Sequence, residues 1–117
     1  HRDAALEGRR VLIVEDDVRN VYSLTSVLEP RGVIAKIARN GQEALDMLEA
    51  SADGADKPID LVLMDVMMPV MDGLTAVRAM RADPKWAKVP VIILNLAPSA
   101  AIDYAKFKRE GIVMGPM

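Results

Sequence analysis

Residues 11–17 read Val-Leu-Ile-Val-Glu-Asp-Asp, an unbroken apolar run that ends in three acids. Four consecutive apolar residues, three of them β-branched, predict a strand that is buried on both faces. Such strands are typical of parallel sheets covered by helices. The run therefore favours an α/β fold, with acidic side chains at the carboxyl end of its first strand.

Short apolar runs like this one recur along the chain, and they alternate with longer amphipathic stretches. Gly32 predicts the end of the first helix, and Asn40 followed by Glu43 resembles a capping box that opens the second. The predicted strands are 11–14, 33–38, 59–64, 89–94 and 112–114, and the predicted helices are 17–31, 40–50, 74–81 and 99–110. Residues 51–58 and 67–73 are predicted to be loops. This order predicts βαβ units in an open parallel sheet with helices on both faces.

Composition narrows the possible functions. The 117 residues suit one domain, and a net charge of −2 with few aromatic residues argues against a nucleic-acid surface. There is no Cys and His1 is the only His, so thiolate or histidine metal sites and a Ser-His-Asp triad are excluded. The longest apolar run, 89–97, is too short to cross a bilayer, and no signal peptide is visible. We therefore expect no direct nucleic-acid or membrane partner, and the lack of Cys fits a cytoplasmic protein.

Carboxylates follow two of the predicted strands. Glu15, Asp16 and Asp17 follow the first, and Asp65 follows the third. Neighbouring strand ends would bring these like charges together, which is costly unless a cation compensates, and Mg²⁺ prefers oxygen ligands. Alternatively, Asp16 or Asp17 caps the first helix and Asp65 is a turn residue. The residues alone thus predict an anionic metal site without deciding which acids form it.

Two segments resemble a known family. Residues 65–73, Asp-Val-Met-Met-Pro-Val-Met-Asp-Gly, and residues 11–20, Val-Leu-Ile-Val-Glu-Asp-Asp-Val-Arg-Asn, resemble the receiver domain of two-component response regulators. Residues 11–20 are similar to the receivers attached to hybrid histidine kinases. The resemblance covers residues 10–116 and implies one receiver domain over residues 1–117. It also implies a doubly wound five-stranded parallel sheet in the flavodoxin-like order 2-1-3-4-5.

The resemblance also implies residue roles. Asp65 is expected to be the phosphoacceptor, attacking a phosphohistidine of a histidine kinase or phosphotransfer domain. Glu15 and Asp16 are expected to hold Mg²⁺ together with Asp65, with a backbone carbonyl from Met67. The domain would then switch a partner surface, acting on a fused or separate output domain. It would not be an enzyme beyond its own phosphorylation and dephosphorylation.

The chain departs from the family pattern at three places. Asn95 stands where the family carries a Thr or Ser, and Gly115 stands where it carries a Lys before Pro116. The tail 111–117 is atypical or truncated, and the family's fifth helix is missing, which would expose apolar surface and favour self-association. These departures favour an alternative, a degenerate receiver that acts as a phosphorylation-independent interaction module.

Two other classes fit less well. A hydrolase of the haloacid-dehalogenase kind needs a second Asp two residues after the nucleophile, where this chain has Met67. A flavodoxin-like flavin binder needs a Ser/Thr/Gly-rich phosphate loop after Val14, and acidic residues follow instead.

Overall fold

Alternating side chains of the central strands are buried on opposite faces of one sheet, as a helix-covered parallel sheet requires. The structure, a computed structural model, describes residues 7–52, 58–65, 73–94 and 115–116. The elements are β1 (Arg10–Val14), α1 (Val18–Leu28), a 3₁₀ turn (Glu29–Arg31), β2 (Ile34–Ala38), α2 (Gly41–Ala52), β3 (Leu61–Asp65), α3 (Gly73–Ala82), β4 (Val91–Leu94) and β5 (Gly115–Pro116).

The sheet is parallel, and its strand order β2-β1-β3-β4 confirms the flavodoxin-like α/β prediction. At the β4 edge, Gly115 and Pro116 pair with Ile92 and Ile93. The strand predicted at 112–114 and the helix predicted at 99–110 lie outside the described residues.

Each face of the sheet has its own apolar core. Val11 and Ile13 point to one face, where Leu24 and Leu28 of α1 pack against them. Leu12 and Val14 point to the other face, which α2 and α3 cover; its buried members include Ala44, Leu48, Val62, Met64, Ala76, Val77, Met80, Trp86 and Ile93. This division shows that helices cover both faces, as predicted.

Prolines shift two element boundaries from their predicted positions. The prediction of one helix through Arg31 is wrong at its end, because α1 stops at Leu28 and Pro30, which has no N–H, lies in a 3₁₀ turn. Gly32 then adopts φ 90°, so it ends the helical segment as predicted. Likewise β4 begins at Val91 rather than residue 89, after Pro90.

The other boundaries differ by one or two residues. α2 extends to Ala52, two residues past its predicted end, because Ser51 is buried and so belongs to the packed helix rather than to a loop. β3 begins at Leu61 rather than residue 59, and it includes Asp65 as its last residue. The predicted capping box is confirmed in its first half, since the Asn40 side chain accepts a hydrogen bond from the Glu43 N–H at 2.8 Å.

Strand register decides where the acids meet. Val14 of β1 pairs with Met64 of β3, so the next residues, Glu15 and Asp65, stand side by side. The Glu15 N–H donates to the Ala38 carbonyl at 2.9 Å, which fixes its backbone to the end of β2.

Within the described ranges, no helix is long and apolar enough to span a membrane.

Candidate metal centre

Three carboxylates converge at the carboxyl ends of β1 and β3. Glu15, Asp16 and Asp65 each offer one oxygen, and these oxygens all lie within 4.8 Å of one another. The Glu15 and Asp65 residues are 1% and 3% exposed, whereas Asp16 is exposed. The cluster therefore has a buried floor of two acids and one acid open to solvent.

Glu15 is held from several directions. Its Oε2 accepts from the Asp17 N–H at 3.2 Å and its Oε1 accepts from the Asn20 side-chain amide at 2.9 Å. Burial raises the pKa of Glu15, and hydrogen bonding and charge repulsion from Asp65 raise it further, while the Asp17 and Asn20 donors oppose the shift. Glu15 is thus an acid whose ionised form is disfavoured by its surroundings unless positive charge is supplied.

Asp17, the third acid of the run, has a different role. Its Oδ1 accepts from the Arg19 N–H at 2.9 Å, which makes Asp17 the N-cap of α1. The Arg19 guanidinium contacts both oxygens, at 3.1 and 2.8 Å, and these bonds lower the pKa of Asp17 to about 2. Asp17 is therefore the residue that caps the first helix. Of the three consecutive acids, Glu15 and Asp16 belong to the cluster with Asp65.

The chemistry of this donor set fits a hard divalent cation. Mg²⁺ is bound through one or two carboxylates while it keeps several waters and contacts phosphate oxygens. A buried floor with an exposed third acid offers such a cation protein oxygens on one side and solvent on the other. The same arrangement places the buried Asp65 carboxylate at the carboxyl end of β3, the side of the sheet on which open α/β folds bind their ligands.

Not every predicted site residue can be placed. Met67 and Asn95 lie outside the described residues. Gly115 pairs with Ile92, whereas Asp65 pairs with Leu94, so Gly115 lies two positions before the level of Asp65. Asn20 was missed by sequence reasoning, although its place five residues after Glu15 and three after the N-cap could have suggested it.

Known proteins have sequences related to that of this chain. Residues 11–114 match the family described as response regulator receiver domain. The chain is 36% identical to Protein PilH of Pseudomonas aeruginosa over 87% of its length and 78% of that protein. It is 35% identical to Histidine kinase 5 of Arabidopsis thaliana over 92% of its length, but it spans only 10% of that kinase.

A solved structure adds a comparison of folds. The chain is similar to the receiver domain of a sensor histidine kinase from Pseudomonas aeruginosa, with a TM-score of 0.75 and 25% identity. The match covers 94% of this chain and 84% of that one, whose structure holds a magnesium ion in its active site cleft.

Proposed function

Because this chain belongs to the response regulator receiver domain family, we propose that Asp65 accepts a phosphoryl group in a Mg²⁺-dependent reaction. Receiver domains are signalling domains rather than enzymes in the usual sense. The observation that carries the proposal is the convergence of buried Asp65 with Glu15 and Asp16, whose oxygens lie within 4.8 Å of one another.

The chemistry follows from the carboxylate. An ionised oxygen of Asp65 attacks the phosphorus of a phosphohistidine, a P–O bond forms, and the P–N bond breaks with its electron pair returning to the imidazole. Bound Mg²⁺ supplies charge neutralisation and orientation, which phosphoryl transfer needs more than covalent help. Glu15, Asp16 and Asp65 would hold the cation in this proposal, together with the Met67 carbonyl.

The partners follow from the same reaction. The phosphoryl donor is a histidine kinase or a phosphotransfer domain, and the receiver then changes a surface that a fused or separate output domain reads. We place this exchange in the cytoplasm, which the lack of Cys in the chain fits. The single receiver domain extends over residues 1–117 in this proposal.

One observation favours a second candidate function. The resemblance aligns Gly115, which precedes Pro116, with the family's Lys, and a glycine has no side-chain cation to pair with the phosphoryl group. Charge-assisted contacts are the strong ones at such sites. A degenerate receiver that binds partners without being phosphorylated would keep the fold and dispense with that cation.

Intact-protein mass spectrometry separates the two candidates. After incubation with Mg²⁺ and acetyl phosphate, we expect one phosphoryl adduct on the wild-type chain and none on Asp65→Asn. Omitting Mg²⁺ should remove the wild-type adduct as well. A folded wild-type chain that gains no adduct from acetyl phosphate or from phosphohistidine donors would leave the interaction module as the better account.

A further inference from the structure

Asn20 connects the first turn of α1 to the carboxylate cluster through a side-chain hydrogen bond. Its amide nitrogen donates to Oε1 of Glu15 at 2.9 Å. A carboxylate only accepts hydrogen bonds, so the amide must present its N–H groups to Glu15. Asn20 itself is exposed on α1, while Glu15 is buried.

Its position in the helix explains the contact. With Asp17 as N-cap, Asn20 is the third residue of α1, the place from which a Glu or Gln normally reaches back to the N-cap N–H. Here Glu15 accepts that N–H instead, at 3.2 Å. The Asn20 amide donates to the second oxygen of the same carboxylate. Both oxygens of Glu15 are thus hydrogen-bonded by donors at the start of α1.

These two hydrogen bonds act against the repulsion between Glu15 and Asp65. The Glu15 carboxylate contacts Asp65 in the cluster, and like charges in a buried site push apart. A glutamate has three side-chain torsions and can turn away from such a neighbour. Donors on the α1 side hold its charge beside Asp65, where a cation would be bound by both.

We infer that Asn20 is a positioning residue that orients Glu15 for the cation, an inference that rests on the proposed function. Asn20 does not touch the cation or Asp65 in this account. It acts through Glu15, as outer-sphere hydrogen-bond partners of metal ligands commonly do.

The test measures Mg²⁺ affinity and reaction rate separately. Mg²⁺ is titrated into the wild-type chain, Asn20→Ala and Asn20→Leu, and the dissociation constant is read from backbone amide NMR shifts. We expect both variants to weaken Mg²⁺ binding by about tenfold, the low end for outer-sphere partners because Asn20 is exposed. At saturating Mg²⁺, the rate of Asp65 phosphorylation by acetyl phosphate should stay within about twofold of wild type, as expected when only binding of the cation is altered.

Controls exclude a loss of fold. Ala favours helix more than Asn does, so a weaker α1 cannot explain reduced affinity in Asn20→Ala. Gln42→Ala removes another exposed side-chain amide, in the first turn of α2. The Gln42 amide donates to Asp46 and not to the cluster. This variant should bind Mg²⁺ like the wild type, and the NMR spectra report folding of all variants.

The outcomes separate this inference from the proposed function. A wild-type chain that binds Mg²⁺ and is phosphorylated, with unchanged affinity in both Asn20 variants, would overturn the positioning role alone. Unchanged affinity with a slower reaction at saturating Mg²⁺ would overturn it too, because Asn20 would then act on the chemistry. A wild-type chain that binds no Mg²⁺ would overturn both.

Discussion

Glu15 and Asp65 oppose one another as long as no cation lies between them. Both are buried acids, and the pKa of Glu15 is raised first by its burial and then by its contact with Asp65. The folded chain therefore holds an unfavourable charge pair that the unfolded chain separates. Binding a divalent cation to this site should stabilise the fold, since the ligand binds only the folded state.

Glu15→Gln tests this conflict. In EDTA at pH 7 we expect the variant to melt a few degrees above wild type, as a stabilisation of about 1 kcal/mol would give in a domain of this size. Mg²⁺ should raise the melting temperature of the wild type and have little effect on the variant. Glu49→Gln is the matched control, because Glu49 is an exposed acid of α2 that pairs with Lys85.

The pH dependence of this difference has a definite sign. A raised folded-state pKa means that the favourable contribution of Glu15 is present below its ordinary value of 4.5 and is lost as pH rises through the folded value. The gap between Glu15→Gln and wild type in EDTA should thus be small at pH 4 and grow toward pH 7. A gap that is constant across this range would contradict the charge explanation.

At the residue scale, the sequence allowed the cluster to be predicted only in part. Glu15 and Asp65 follow apolar runs, so their place at strand ends followed from the pattern of buried strands. The different roles of Glu15, Asp16 and Asp17 did not follow from the residues alone, because all three are carboxylates in consecutive positions; the resemblance to receiver domains is what favoured Glu15 and Asp16 for the cluster. In the structure, these roles depend on Arg19, whose side chain contacts Asp17, and on Asn20, whose side chain contacts Glu15.

At the element scale, the first turn of α1 joins helix formation to the site. Asp17 satisfies a helix N–H and pairs with Arg19, while its own N–H holds Glu15. The helix start and the position of Glu15 are therefore coupled through one residue.

Replacing Asp17 should separate capping from charge. Asp17→Ala removes the cap and should lower the melting temperature, whereas Asp17→Asn keeps a good capping side chain and should change it less. Thermal melts at pH 7 of the two variants provide the comparison. Equal losses in both variants would mean that the Arg19 pair, rather than the cap, stabilises this turn.

Acid should remove the advantage of Asp17 over Asn at this position. A lowered folded-state pKa gives stability that is present above the ordinary value of 3.8 and lost as pH falls through about 2. The difference in melting temperature between wild type and Asp17→Asn should accordingly shrink from pH 4 to pH 2. A difference that persists unchanged at pH 2 would argue against the ion pair as its source.

Element types among the described residues were predictable from apolar periodicity, but some ends were not. The predicted α1 ran on through Pro30 because Gly32 was interpreted as its C-terminal end, yet Pro30 cannot donate the hydrogen bond that an α-helix needs there. α2 extends two residues past its predicted end because Ser51 is buried, and burial of this residue depends on tertiary packing that the local sequence does not specify.

At the scale of the whole molecule, two apolar cores of unequal completeness hold the sheet. Within residues 7–52, 58–65, 73–94 and 115–116, the core beneath α2 and α3 contains thirteen buried residues and the core beneath α1 contains four. No residue of α1 is fully buried, and its Val18 and Tyr22 are 78% and 74% exposed. Stability should therefore depend chiefly on the α2–α3 side.

Leu48→Ala is the sharpest test of that asymmetry. Leu48 is fully buried in the larger core, and its truncation should cost about 2–5 kcal/mol in the free energy of unfolding. Val27→Ala on α1, where Val27 is 55% exposed, should change that free energy by less than about 0.5 kcal/mol. Urea unfolding of both variants measures the two values, and similar costs would contradict the unequal cores.

The single tryptophan of the chain has a practical consequence. Trp86 is buried in the larger core, in the same cluster as Val14 and Met64, the residues that precede Glu15 and Asp65. Its indole emission is thus an intrinsic optical signal from the interior, free of interference from any other indole. Emission that shifts on unfolding gives a dye-free readout of stability, and emission that shifts on phosphorylation would reveal that the event at the strand ends is felt inside the protein.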